Sequence, residues 1–421
     1  MTDVAISGRF YYQGRFRDLT VGVTNGIISE IKKNLKAQVH YSVEGGILPG
    51  STDTHVHFRD PGETAKEDFS TGSAAAVYGG TTTVLDMPNN RLPIVDYDRF
   101  YDKKAAIRGR SYCDYGLYSL FTGGNAQVLS KESIALKIYL GGSTNSTGLA
   151  SIPQDQISKL REEGFRLVFH AESDECLDRN RREVHSLADH DLSRPEACEK
   201  MAVDYVASLK YPDKTVTHIS SMASLADIKS RDFKIEATPH HLLLNEAMGL
   251  GPKGKVNPPL RSKDTQLSLL EAYAGGRIDV VSSDHAPHTE EDKDGFEYAK
   301  SGIIGVETRL PLMLALVKKG IVPMEVFYRT VIENPPANFG IKKGKLEIGY
   351  VADFFSVKLS EMQKINENRL HSKNSFSPFD GFDAVFPENV FIRGSPALEN
   401  GELLSDRQGL FLNDIKGARN A

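Results

Sequence analysis

The sequence predicts an α/β chain: a (β/α)8 TIM-like barrel with a small β-sandwich domain formed by both chain ends. Three observations predict it. Between residues 49 and 344, eight short apolar segments alternate with amphipathic helical stretches, the pattern of parallel strands joined by crossovers. Both ends of the chain instead carry strand-like segments separated by tight-turn signals. The residues able to do chemistry cluster at the C-terminal ends of the apolar segments, the face on which barrels carry their sites. An open doubly wound sheet is the alternative, but it would usually show a Gly-rich phosphate turn, and none is present.

The elements follow in order. Residues 1–48 hold VAISGRFYY, RDLTVGVTNG and IISEIKK, short strands and the first part of the small β domain. In the barrel, residues 49–344, the strand candidates are GILPGSTDTHVH (which starts just upstream), TTTVLDM, DYGLYSL, ALKIYL, RLVFHA, TVTHIS, KIEATPH and DVVSSD. Helices are expected at Glu67–Tyr78, Val95–Arg108, Gln154–Glu163, Arg194–Leu209, Met222–Ser230 and Lys263–Ala274. Leu310–Lys319 and Pro323–Glu333 read as closing helices. Residues 345–421 return to strand character at LEIGYVADFFSVKL and PENVFIRG and complete the small domain.

Composition excludes several classes. The chain has 421 residues, 40% hydrophobic and 25% charged, as in ordinary globular proteins. A net charge of -5 with interspersed signs points to neither nucleic acid nor membrane as partner. No apolar run is long enough to span a bilayer, and the N-terminus lacks the regions of a signal peptide. Cys113, Cys176 and Cys198 have no ligand or redox spacing and are expected as structural thiols of a cytoplasmic protein.

The chemistry is concentrated in Asp53-Thr54-His55-Val56-His57-Phe58-Arg59. Strand side chains alternate, so His55 and His57 share a face and offer half of a divalent-metal site. Arg59 continues the alternation and places a cationic fork beside them, suited to a carboxylate. Asn89 follows the second strand, Lys137 lies in the fourth, and His170, His218 and Asp284 end the fifth, sixth and eighth. One such histidine could be an ordinary hydrogen-bonded residue. Four histidines, a lysine and an aspartate on one barrel face indicate a metal site.

The pattern resembles the cyclic amidohydrolases of the metal-dependent amidohydrolase superfamily, and most closely their dihydroorotase family. The resemblance covers essentially the whole chain. DTHVHFRDPG, TTTVLDMPNN, LKIYLGGST, FHAES, THISS, ATPHH, KVNPPLR, SSDHAPHT and GVET carry it in family order. GKLEIGYVAD resembles the superfamily's return from barrel to β domain.

An ordinary lysine has a pKa of about 10.4 and cannot bind metal as an ammonium. Buried in a strand, Lys137 shifts toward the amine, which can take up carbon dioxide as a carbamate. The resemblance implies that this N6-carboxylysine bridges two divalent ions about 3.5–4 Å apart. Some relatives bridge instead with an aspartate after the fourth strand, but no Asp or Glu occurs between Lys137 and Gln154. By the same resemblance His55, His57 and Asp284 hold one ion, and His170 and His218 the other. The ligand types favour zinc, with manganese or cobalt able to serve.

The implied reaction is reversible opening of a six-membered cyclic amide, with Asp284 carrying the proton between water and the ring nitrogen. The small-molecule substrate would be dihydroorotate, or N-carbamoyl-L-aspartate in the biosynthetic direction toward pyrimidines (UMP). The family's substrate contacts map to His57, Arg59, Asn89, Asn257, His288, Ser301 and Gly302. The segment at Gly302 is expected to offer backbone hydrogen bonds to the ring. Asp60 stands where the family commonly has Glu, and Ser301 where an aromatic residue is expected. His240 and His241 have no assigned role, and His40, His185, His190 and His371 read as surface residues. Allantoinase and hydantoinase chemistry, a mononuclear deaminase and a noncatalytic homologue stay as alternatives. So do a homo-oligomer and an association with aspartate transcarbamoylase.

Overall fold

The computed structural model describes residues 2–226, 231–374 and 376–419. The chain opens with β1 (Val4–Tyr12), β2 (Arg15–Thr24), β3 (Ile27–Lys32) and β4 (Val39–Pro49). Gln13-Gly14 and Asn25-Gly26 make the first two turns with φ of 51°, 76°, 52° and 77°, the doubly left-handed geometry of two-residue hairpin loops.

Eight barrel strands follow: β5 (Ser51–Val56), β6 (Thr81–Asp86), β7 (Asp114–Leu117) continued as β8 (Ser119–Leu120), β9 (Leu136–Tyr139), β10 (Leu167–His170), β11 (Lys214–Val216), β12 (Lys234–Ala237) and β13 (Val280–Val281). Every pairing among them is parallel. The ring closes where Val56 bridges to His285 and the His57 amide donates to His285 O at 2.7 Å. Strands covered on both faces carry near-continuous apolar runs, which is why these segments were legible.

The helices are α1 (Phe69–Tyr78), α2 (Tyr97–Ile107), α3 (Gln154–Glu162), α4 (Asp174–Arg179), α5 (Leu187–Ser193), α6 (Glu196–Ser208), α7 (Pro239–Leu243), α8 (Lys263–Ala274), α9 (Arg309–Lys318), α10 (Met324–Phe327) and α11 (Asn334–Ala337). Several expected helices start one or two residues later than the periodicity suggests, because a cap ends the extended backbone. Asp68 accepts from the Ser70 and Thr71 amides, and Asp96 from the Arg99 amide. Between α10 and α11 a π-helical turn, Tyr328–Glu333, occupies the rest of the expected closing helix. Of the expected helix Met222–Ser230, Met222–Leu225 is a single 3-10 turn, and residues 227–230 lie outside the described residues.

After the barrel come β14 (Phe354–Val357), β15 (Gln363–Lys364), β16 (Asp383–Ala384), β17 (Asn389–Ile392), β18 (Ser395–Glu399) and β19 (Glu402–Leu403). One sheet runs β19-β18-β17-β14-β4-β1-β2-β3, so both chain ends share it. The sheet is strongly curled. The Ala352 amide donates to Gly26 O at 2.9 Å, and the Gly394 amide to Ala352 O at 2.7 Å. Turns at the two distant flanks therefore meet around a core of Phe10, Val21, Val23, Ile47, Phe354 and Phe391. Among the described residues no helix is long and apolar enough to cross a membrane.

Two expectations are corrected. Gly46–His57 is not one strand: it breaks at Gly50, with β4 in the end sheet and β5 in the barrel. The three cysteines are not all thiols either. α4 packs on α6, bringing Cys176 and Cys198 together as a disulfide with Cα atoms 5.2 Å apart, while Cys113 is free and buried. A spacing of 22 residues carries no pattern that would have revealed this pair. Cysteine usage thus supports no argument about compartment.

Candidate functional site

One cavity at the C-terminal mouth of the barrel is lined by His55, His57, Arg59, Asn89, Lys137, His170, His218, Asn257, Asp284, Ser301 and Gly302. These are the residues expected from sequence apart from His288. Arg59, His218 and Asp284 have φ of 60°, 39° and 46°, left-handed backbone that non-glycine residues rarely adopt. Such conformations persist where the surroundings enforce them, and they gather at functional sites.

His55 and His57 converge on Asp284: their Nε2 atoms lie 3.3 and 3.2 Å from its Oδ1. The other nitrogen of each ring is fixed. His55 Nδ1 lies 2.8 Å from Glu236 Oε1, and His57 Nδ1 lies 2.7 Å from Asn89 Oδ1. Carboxylate and amide oxygens accept, so both Nδ1 atoms carry the proton and both Nε2 lone pairs face Asp284. Burial drives the His57 pKa down to about 3, keeping that ring neutral.

The second group lies beside the first. His170 Nε2 is 2.9 Å from Glu172, which Arg194 holds from its other side, so the His170 Nδ1 lone pair faces His218 Nε2 at 3.0 Å. Burial lowers the pKa of His170, and that of His218 falls well below its ordinary value. Lys137 is fully buried, with Nζ 3.0 Å from Thr217 Oγ1, and burial brings its pKa down to about 8.

This arrangement fits metal. The donor atoms of His55, His57 and Asp284 all lie within 4.8 Å of one another. Three imidazoles each have one nitrogen held by a fixed oxygen partner and the other turned inward, and His218 Nδ1 is buried without a hydrogen bond among the described residues. A hydrogen-bonding core would alternate donors and acceptors instead. Glu236 and Glu172 were missed from sequence. Glu172 stands two residues beyond His170, and strand alternation could have flagged it. Glu236 carries no such signal, since it lies on a different strand from His55.

Arg59 is 3% exposed. Its Nε donates to Pro287 O at 3.3 Å, its Nη2 lies 3.4 Å from His288 Nε2, and its Nη1 is buried with no partner. Among the described residues no carboxylate forms an ion pair with it. His288 is fully buried behind Arg59 rather than on the cavity wall, with Nδ1 3.3 Å from Asp292. Asn89 is already engaged through both ends of its amide, since Nδ2 donates to Thr144 O at 2.9 Å. Gly302 adopts φ of 154°, and a Cβ there would lie 2.2 Å from Ala286 O, so only glycine fits. Its amide hydrogen is spent on Lys255 O, so it is not free for a ring as expected. His241 is buried and braces Pro258 O at 3.0 Å, while Nε2 of its neighbour His240 is buried without a partner. His190 is not a surface residue: it is 6% exposed and bonds Val256 O and Asn257.

A family model described as the amidohydrolase family matches residues 47–396. A dihydroorotase of Thermoplasma volcanium is 53% identical over 97% of this chain and 98% of its own. One from Thermoplasma acidophilum is 54% identical with the same coverage. Among solved structures, the L-hydantoinase (dihydropyrimidinase) of Arthrobacter aurescens superposes with a TM-score of 0.91 at 26% identity, covering 98% of this chain and 99% of that one. The barrel-mouth cluster and these full-length matches agree: the chain belongs to the amidohydrolase family, with the dihydroorotases.

Proposed function

We propose that the chain catalyses the reversible, metal-dependent cyclisation of N-carbamoyl-L-aspartate to (S)-dihydroorotate and water, a step of de novo pyrimidine biosynthesis. Arg59 carries the substrate half of this reading. A buried guanidinium with an unpartnered Nη1 and, among the described residues, no carboxylate on it, beside the His55–His57–Asp284 cluster, suits a substrate that brings its own carboxylate. Relatives named dihydroorotase at more than half identity support it.

The site would hold two divalent ions, zinc by ligand type. His55, His57 and Asp284 would take one, His170 and His218 the other, with carboxylated Lys137 between. When bound, the ions supply acidified water and Lewis acidity at the ring carbonyl. The chain's own residues do the rest. Asp284 accepts a proton from the attacking water and passes it to the ring nitrogen as the amide C–N bond breaks. Arg59 fixes the substrate carboxylate, and Asn89 keeps the His57 lone pair aimed inward.

Substituting Arg59 tests the substrate. Losing one partner of a buried charge pair costs on the order of 2–5 kcal/mol. Arg59→Ala should therefore cut kcat/KM for dihydroorotate by roughly 30- to several-thousand-fold. Hydrolysis of dihydrouracil, which lacks the carboxylate, should fall far less, and Arg59→Lys should recover only part of the loss. Equal losses on both rings, or a wild type preferring the uncharged one, would overturn the assignment. Elemental analysis of fully active protein should give two ions per chain, and a single tightly bound ion would refute the binuclear site.

A further inference from the structure

The loop from Asn245 to Arg261 delivers Asn257 to the cavity, and α5 grips that loop from outside the barrel strands. Within α5, His190 Nε2 lies 2.9 Å from Val256 O and 3.0 Å from Asn257 Oδ1. A backbone carbonyl only accepts, so Nε2 must carry the ring proton. The Asn257 atom sharing that proton must then be the amide oxygen. Ser301 Oγ donates to the same oxygen at 3.1 Å. With both donors on one end of the amide, its NH2 is the end left for the cavity that Asn257 lines, and among the described residues no acceptor is bonded to it. The same helix holds the far end of the loop, where buried Arg261 pairs with Asp191 and donates to Arg194 O at 2.6 Å.

We propose that His190 is a positioning residue for substrate: by holding Oδ1 of Asn257, it fixes that side chain as a hydrogen-bond donor to a carbonyl or carboxylate oxygen of the bound ring. The identity of the ring rests on the function proposed above; the hold itself does not. Released, an asparagine amide can turn its oxygen toward the cavity, and an oxygen would repel an acceptor-rich anion. Burial lowers the His190 pKa to about 4, so the ring stays a neutral donor across the physiological range.

The test uses metal-loaded enzyme assayed in both directions. His190→Phe should raise KM for dihydroorotate about tenfold, the scale of one misdirected buried hydrogen bond, with kcat and metal content little changed. His190→Gln, which keeps a donor, should recover most of the loss. In an Asn257→Ala background, His190→Phe should cost less than about twofold, because its partner is gone. A full tenfold loss in that background, a glutamine variant as poor as phenylalanine, or unchanged kinetics would overturn the proposal. If His190→Phe does not fold, ring 15N shifts of the wild type decide: a neutral ring protonated on Nε2 is expected, and a proton on Nδ1 refutes the hold. A wild type that leaves dihydroorotate untouched would refute the proposed function, and the 15N measurement would still read the hold.

Discussion

In the proposed reaction Asp284 meets two demands on one carboxylate, to be a ligand and to move a proton. It faces the Nε2 atoms of His55 and His57 at 3.3 and 3.2 Å. Asp284→Asn keeps the shape and removes the proton acceptor. Turnover of dihydroorotate should fall by roughly 10²–10⁴-fold, the range that general acid–base assistance supplies, with the fold intact by circular dichroism. Near-normal turnover would place the proton transfer elsewhere. Glu236 acts one step further out. Glu236→Gln weakens the grip on His55 Nδ1, and competition with a chelator should show metal affinity reduced about 10–100-fold. The inward-facing side chains of the cavity were legible because strand alternation and strand ends are one-dimensional signals. The groups that aim them, Glu236 on His55 and His190 on Asn257, come from distant elements, and only the folded chain shows those pairings.

At the scale of elements, apolar strands and helix caps could be read locally, but the change from one sheet to another could not. Gly46–His57 reads as one strand because both halves are extended and apolar, yet β4 and β5 belong to different sheets. Gly50 makes the switch. A Cβ there would lie 2.4 Å from Thr82 Oγ1 and 2.7 Å from Asp353 Cβ, so the backbone passes where no side chain fits. Its amide donates to Asp353 O at 2.7 Å, tying the junction to the C-terminal segment. Gly50→Ala should destabilise by about 1–3 kcal/mol, the usual cost of overpacking a filled interior, measured as a lower denaturant midpoint. A midpoint equal to wild type would mean that β4 and β5 can part without cost. The expected strand DYGLYSL splits for a related reason. At Tyr118 the chain passes from the pairing of β7 with β6 to that of β8 with β9, and the Tyr118 hydroxyl donates to Thr54 O at 3.0 Å.

Across the whole molecule, barrel and end sheet are joined by a buried charge cluster that no local pattern announces. Lys343 is 1% exposed, and its Nζ reaches Asp114 on β7 and Asp353 before β14 at 2.6 Å each, and Thr83 on β6 at 2.9 Å. Arg393, in the turn after β17, pairs with Asp114 from the end sheet. Burial pulls the Lys343 pKa down, but Asp114 and Asp353 outweigh it and raise it overall. Burial likewise raises Asp114, but Lys343 and Arg393 outweigh that and lower it. A lysine raised in the folded state stabilises fully below its unfolded pKa of about 10.4 and loses that contribution as pH climbs through the folded value. An aspartate lowered in the folded state stabilises above about 3.9 and loses that contribution as pH falls through the folded value. The cluster thus favours the folded chain across the range between and weakens it at both extremes. Lys343→Met leaves two buried carboxylates without their shared cation and should cost about 3–5 kcal/mol at neutral pH. Asp114 then keeps only Arg393, its pKa rises, and acid unfolding followed by circular dichroism should begin at higher pH than in the wild type. A Lys343→Met protein with wild-type stability and an unmoved acid transition would show that packing alone joins the two parts.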